Sequence, residues 1–360
     1  MANQTVSANL QVIQFRRDFF REYIRDNRLS PYVGTAENNP IVIKEGRGPT
    51  IRHPLLTRLT GTGVTGSDQL RGQGESMSNY SWDTSPTYYR HAVEFDKERT
   101  EQSNIALMQA ARPHLLDWSM ALTRDHQIAA LGAIYNGTTY STLADATEGA
   151  RDTWLVNNAD RQIFGASAGS GTDHSADLGQ IDSTNDTFTA NRVDDMRRLA
   201  EDADPHIRPF RTDQESEVFV IFAGSIAFRD LKRDLETKLQ NADVRGMGNI
   251  TRGKNLLARD GDLFYNGVIV RKVPEITKMF SATGKTLATA GNSSIAVEPV
   301  FLCGAQALVW GLGQRPEVKR DTWDFDFRNG VGVELKHDVK KAFFNNVQHG
   351  VVTGYFSGAA

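Results

Sequence analysis

A chain of 360 residues with 39% hydrophobic content supplies enough apolar surface for a large core and, by length, about two lobes. Its 41 Lys and Arg stand against 44 Asp and Glu, a net charge of -3, so a whole-surface basic field for gripping nucleic acid is not indicated, while a local basic face stays open. A single cysteine, Cys303, excludes an intramolecular disulfide framework and a cysteine-built zinc site, and its apolar, strand-like setting suits a small buried thiol.

No basic-then-apolar signal segment opens the chain. From Asn9 to Arg28 the apolar residues Leu10, Ile13, Phe15, Phe19, Phe20, Tyr23 and Ile24 fall at mainly helical spacing and predict an amphipathic helix. Its five arginines outnumber Asp18, Glu22 and Asp26. That face meets nucleic acid, a neighbouring chain or solvent.

Two strand-like arms follow, Ile41 to Leu59 and Met77 to Phe95, rich in Ile, Val, Thr, Tyr and Trp and interrupted mainly by Pro, as solvent-edge strands are. Between them lies a glycine-punctuated tip with Gly61, Gly63, Gly66, Gly72 and Gly74. It has no apolar face to fold into a core. At about 3.3 Å per residue such arms reach roughly 50 to 60 Å when fully extended, farther than a compact domain needs. The pattern is that of a loop built to touch another molecule.

The strongest helix is expected over Pro113 to Tyr135, with Pro at a first helical position and Asn136-Gly137 as the stop. It would run about 35 Å. Leu115, Trp118, Leu122, Ile128, Ala129 and Leu131 keep one side apolar. Thr138 to Asp186 is the least regular stretch and reads as exposed loop. Beyond it the pattern predicts a helix over Thr189–Glu201, a buried strand over Val218–Phe222, a helix over Ile226–Leu239 and a strand over Phe264–Val273. Further strands are expected at Val300–Trp310, Trp323–Phe327 and Val351–Phe356. The apolar window 297–312 is too short and too interrupted by Glu, Pro, Gly and Gln to span a bilayer.

Several motifs that carry chemistry elsewhere occur without their required context. Gly61-Thr62-Gly63-Val64-Thr65-Gly66 fits a dinucleotide fingerprint, which works only where a strand turns into a helix; here Gly72 and Gly74 forbid that helix. Gly284-Lys285-Thr286 lacks the first glycine of a phosphate-binding loop, since Met279 holds that position. Gly165-Ala166-Ser167-Ala168-Gly169 imitates a nucleophile elbow inside a Gly/Ser-rich loop. The eight histidines are scattered, with no His-x-x-x-His pair, so no metal site is expected. Asp324 and Asp326 read as a solvated strand face, and neither a catalytic residue nor a cofactor is assigned.

One ordered set of residues carries a resemblance. Leu59-x-Gly61-x-Gly63-x-x-Gly66, Leu70-Arg71-Gly72, Glu75, Tyr80 and Tyr89-Arg90-His91-Ala92-Val93 resemble the extended loop of a tailed-phage major capsid protein, the phage N4-type proteins among them. The similarity continues through Arg99-Thr100, Ala110-Ala111-Arg112, Leu115-Leu116-Asp117-Trp118, Asp125, Phe228-Arg229-Asp230-Leu231-Lys232, Phe264 to Val270, Leu302 to Leu308 and Trp323-Asp324-Phe325.

The resemblance implies an α+β, HK97-like major capsid fold. Its parts would be an N-terminal arm (1–40), an extended β-hairpin loop with its base (41–95) and a discontinuous peripheral lobe of spine helix plus long sheet (92–136 and 297–360). A variable insertion (137–187) and an axial lobe (188–296) would complete it. It implies a structural, non-enzymatic protein that assembles with copies of itself, as hexamers and pentamers, into an icosahedral head around double-stranded DNA. Portal, scaffolding and decoration proteins are the further partners implied, with no membrane, and assembly in the bacterial cytoplasm. Only about 40 residues precede the loop, which implies a separate scaffolding protein. The assembly residues carried over are Arg58, Gly61, Gly63, Gly66, Leu70, Arg71, Glu75, Arg90 and His91, with His91 a structural residue at the loop base. Some relatives form an isopeptide bond from a loop lysine, but Ile51 to Phe95 contains no lysine, so covalent linkage is not expected. A nanocompartment shell enclosing protein cargo shares the fold and is the alternative reading.

Overall fold

The computed structural model describes residues 22–359 apart from Arg47, Asp68, 104–106, 167–168, 214–215 and 245–261. The first half contains β1 (Val33–Gly34), β2 (Ile41–Glu45), β3 (Ile51–Leu56), β4 (Asn79–Thr84), β5 (Thr87–Asp96), α1 (Lys97–Gln102), α2 (Leu107–Leu131), α3 (Glu148–Asn157) and β6 (Gln162–Phe164). The second contains α4 (Ala190–Asp202), β7 (Ser216–Ala223), α5 (Ser225–Val244), β8 (Asp262–Tyr265), β9 (Val268–Lys272), β10 (Val297–Cys303), β11 (Leu308–Trp323), β12 (Arg328–Lys341) and β13 (Val351–Ser357). The chain divides into two compact units. The smaller holds Tyr88–Leu122 and Gln314–Lys336; the larger holds Asn27–Thr87, Thr123–Gly313 and His337–Ala360.

The larger unit is built on a sheet in the order β8-β9-β7-β10-β13-β6. β7 runs parallel to β9 and antiparallel to β10, and β10 runs antiparallel to β13. Every position of β10 and of β13 is buried, which is why both read as near-continuous apolar runs. Alternation sorts their side chains into two layers. Val220, Phe222, Phe301 and Tyr355 join Ile128 and Leu131 of α2 on one face. Phe219, Ile221, Leu302 and Phe356 meet Val193 and Met196 of α4 and Leu231 of α5 on the other. Each such side chain contributes about 1.5 to 3 kcal/mol on burial. At the edge of this unit β2 pairs in parallel with the first residues of β11, Ile41 opposite Leu308.

The smaller unit is thinner. β11, β12 and β5 are consecutive in strand order, and one face of them carries the first turns of α2. Leu115, Met108 and Trp118 pack there on Val93, Val318, Val331 and Val333. The period of two along β12 turns Val331, Val333 and Leu335 inward, with Gly330 just before them and Gly332 between the two valines.

Six expectations are corrected. The helix over Asn9–Arg28 falls mostly outside the described residues, and 22–27 carries no helix. Leu29 and Tyr32 are instead buried one by one, Tyr32 edge-on to Phe210 and Phe222. The long helix starts six residues earlier and ends at Leu131, with Pro113 inside it; proline omits one amide bond, and packing on both flanks holds the helix together. Phe264–Val273 is a hairpin, because Asn266 and Gly267 take left-handed φ of 43° and 72° and form the tight turn that this dipeptide favours. Val300–Trp310 is broken between Cys303 and Leu308, and Trp323–Phe327 is not a strand: Trp323 ends β11 and 324–327 form the turn to β12, so Asp324 and Asp326 do not share a strand face. Thr138–Asp186 is no exposed loop: Trp154, Leu155, Phe164, Leu178 and Ile181 all enter the core. Of its larger apolar residues only Val156 is exposed and Tyr140 half-buried; the rest are buried.

Candidate assembly surface

β3 and β4 form an antiparallel ladder from Ile51 opposite Thr84 to Leu56 opposite Asn79. Trp82 roots it, stacking on Phe343 at 5.2 Å, while Phe343 stacks on Tyr135 at 4.0 Å. His53 lies 4.9 Å from the Trp82 ring and within 3.0 Å of the Thr84 hydroxyl, and burial holds its pKa below the usual histidine value. On the outer face Arg52 forks onto Asp83 at 2.9 and 3.0 Å. The Ser85 amide donates to Asp338 at 2.8 Å. The base is therefore fixed by packing, and its surface by charge-assisted bonds.

Beyond Leu56 the ladder stops after one further bond, from the Thr57 amide to Ser78 O at 3.0 Å. The neck of the loop is then closed by Glu75, whose carboxylate accepts from the amides of Thr60 (2.9 Å) and Gly61 (2.8 Å) and from the Thr60 hydroxyl (3.2 Å). Those amide bonds hold its pKa below the usual carboxylate range. A Cβ on Gly61 would lie 2.7 Å from Glu75 Oε2, so glycine is what allows the close approach. Gly63 and Gly66 take φ of 72° and 71°, which side chains resist. Leu56, Leu59, Leu70 and Met77 are 59 to 67% exposed, and Arg71 is exposed beside them. The loop thus presents apolar side chains that its own chain does not cover.

The residues expected to act together fall in two groups. Arg58, Gly61, Gly63, Gly66, Leu70, Arg71 and Glu75 are on the loop of the larger unit, where Arg58 pairs with Asp204 at 2.6 Å. Both partners are exposed, so the pair orients the arm more than it stabilises the fold. Arg90 and His91 lie on β5 in the smaller unit. The His91 ring packs 5.0 Å from that of Trp118. Arg90 edges a cavity of about 460 Å³ floored by Ala92, Gly330 and Gly332.

The sequence did not signal how ionisable groups would be buried. Lys341 is buried against the Trp154 ring at 5.4 Å, with Nζ 3.2 Å from Gln348 Oε1; burial pushes its pKa down to about 7. His126 Nδ1 and His337 Nε2 meet at 2.8 Å, and burial lowers both. Glu298 is buried with its carboxylate on the Ala227 amide at 2.5 Å, at the start of α5, and burial raises its pKa. That carboxylate meets the positive end of the helix dipole. Glu148, Asp152 and Asp173 bring carboxylate oxygens within 4.8 Å of one another. Asp152 and Asp173 there accept from the amides of His174 and Ala176, a capping arrangement. Gly61–Gly66 is followed by loop, Lys285 sits in an exposed turn, and Ser167 lies outside the described residues.

A shell-forming protein of the HK97-like capsid fold is the class this architecture defines. The capsid structure of cyanophage Pam1 superposes with a TM-score of 0.88 at 34% identity, covering 100% of both chains. That of Ralstonia phage GP4 gives 0.73 at 16% identity over 100% of this chain and 99% of the other. The chain belongs to the phage capsid protein family, whose pattern matches residues 3–355, and it is a virion component. The major capsid protein of Pseudomonas phage KPP25 is 21% identical over 348 residues, 90% of this chain and 87% of that one.

Proposed function

We infer that this chain is the major capsid protein of a tailed phage, many copies of which close into the head shell around double-stranded DNA. The observation that carries this reading is the loop of 57–78, rooted on Trp82 and exposing Leu59, Leu70 and Met77 to a surface its own chain does not supply. The full-length similarity to a cyanophage capsid chain favours a genome-enclosing shell over a cargo compartment. In this reading Arg58, Gly61, Gly63, Gly66, Leu70, Arg71 and Glu75 shape the arm that crosses a neighbour, and Arg90 and His91 belong to the face it meets. The peripheral lobe takes 92–136 and 297–360, the axial lobe 188–296, and the N-terminal arm 1–40. Hexamers and pentamers meet portal and scaffolding proteins, and the work done is association and not catalysis. Heterologous contacts repeated by symmetry make a strong lattice from modest surfaces.

The test is electron microscopy and sedimentation of the full chain expressed with its phage's head-assembly genes. Closed shells are expected, releasing single chains of 39.9 kDa on boiling in detergent because the loop lacks lysine. A chain that stays monomeric under every such condition would overturn the reading.

A further inference from the structure

Resting on that shell-forming role but on a different part of the molecule, we propose that the β11–β12 hairpin tip is a plug. It docks into the cavity beside the first turn of α2 on a second copy of this chain. Three consecutive residues of the tip, Asp324, Phe325 and Asp326, have left-handed φ of 56°, 53° and 66°. Aspartate tolerates that region; phenylalanine does not. The conformation is held by the Phe327 amide on Asp324 O at 3.0 Å and by the Lys97 amide on Phe327 O at 2.9 Å. It holds the Phe325 side chain fully in solvent, at 104% relative exposure. A bulky residue kept in a strained backbone with no contact to its own fold points to a contact outside it.

The same small unit carries the matching shape. A cavity of about 520 Å³ is floored by Leu107, Met108, Val318 and Val331 and rimmed by Arg112 and Arg320. Both arginines are exposed, and among the described residues neither forms an ion pair, whereas Lys319 beside them is taken by Glu334. An aromatic ring flanked by two carboxylates complements an apolar floor rimmed by two unpaired guanidinium groups, which also stack on aromatic faces. The tip does not enter its own cavity. It leaves Arg320 along an extended strand and lies about 13 Å beyond it at the usual rise per residue. The occupant is therefore another copy, and the contact is heterologous, the kind that closes into rings under symmetry.

The full chain expressed with its head-assembly genes tests this in two ways. Phe325→Asn replaces the strained residue by one that accepts left-handed φ. It should leave the melting temperature of the unassembled chain unchanged or higher while shell yield falls about tenfold or more, as loss of an aromatic anchor does. Asp326→Cys combined with Arg112→Cys should give oxidised shells whose chains run as a ladder of linked oligomers in detergent, since the native Cys303 is fully buried and silent. Normal shells from Phe325→Asn, or normal shells of the double-cysteine variant with no ladder or with links only inside single chains, would overturn the docking while leaving the shell-forming role intact. Arg112→Glu with Arg320→Glu should block closure. Closed heads that lose only their DNA would assign the cavity to nucleic acid and also overturn the docking. An unmodified chain that forms no shells would instead remove the reading on which it rests.

Discussion

The central sheet of the larger unit and the projecting loop treat hydrophobic side chains in opposite ways. β10 and β13 bury every position, and even their ionisable Glu298 is given a helix N-terminus to accept from. The loop leaves Leu59, Leu70 and Met77 uncovered and keeps its shape with a few bonds to Glu75. One region is stabilised by its own chain. The other has its apolar partner elsewhere, so folding and assembly are separable properties of this molecule.

The sharpest way to break that comparison is to damage each region and measure both properties. Phe301→Ala opens a cavity in the layer that the sheet shares with α2 and should cost about 3 to 5 kcal/mol in urea unfolding of the unassembled chain. Replacing Thr60 to Glu75 by Asn-Gly joins the same strands in a tight hairpin and should leave that unfolding midpoint unchanged while closed shells disappear. Equal losses of stability from the two changes would mean the loop belongs to the core.

Buried ionisable groups sharpen the contrast through pH. Lys341 has its folded pKa lowered to about 7 by burial, so between that value and the unfolded one of about 10.4 the unfolded chain binds the proton and the fold does not. Stability should therefore fall on the order of 3 kcal/mol as pH drops from about 10 to 7. Lys341→Met should flatten this dependence, and an unchanged slope would show that the group stays charged in the fold. His174, lowered to about 4 by burial beside Tyr355, acts at lower pH with the same sign. It contributes a loss of about 2 to 3 kcal/mol between about pH 6.5 and 4. His174→Phe, compared with the parent chain in acid urea titrations, should remove part of that loss; a parent that is equally stable at pH 4 and 7 would refute the buried neutral ring.

How much of this was legible depended on whether a signal was local. The buried strand at Val218–Phe222 and the last strand announce themselves as apolar runs, and the loop by its glycines. Asn266-Gly267 was a legible hairpin signal inside a stretch whose apolar pattern suggested one strand. The period of two from Val331 through Val333, Leu335 and His337 to Val339 marks β12. It is hidden because charged residues occupy the alternate places and the inward series itself includes His337 and ends at Lys341. No local pattern encodes that Lys341 meets Gln348, that His126 meets His337, or that Phe325 is held out in a left-handed turn. Those facts depend on which segments the fold brings together and on backbone angles that Asp and Phe do not advertise.

The smallest expected effect concerns the neck of the loop. Glu75→Gln keeps the shape of the side chain but removes the charge that the Thr60 and Gly61 amides point at. Because the carboxylate is solvent-exposed, the unfolding midpoint should not move. Amide hydrogen exchange at Thr60 and Gly61 should quicken severalfold, since a neutral acceptor holds them less tightly. The same opening should appear in the unmodified chain when acid protonates Glu75. Its folded pKa is depressed, so the clamp is fully formed above the ordinary glutamate value of about 4.3 and is lost as pH falls through the lower folded value. Gly61→Ala reaches the same end from the other side, because the added Cβ, 2.7 Å from Oε2, pushes the carboxylate away. If either substitution lowered the melting of the larger unit, the neck would be coupled to the core and the separation between folding and assembly would fail at its base. If exchange at both amides stayed unchanged, Glu75 would not be what closes the loop.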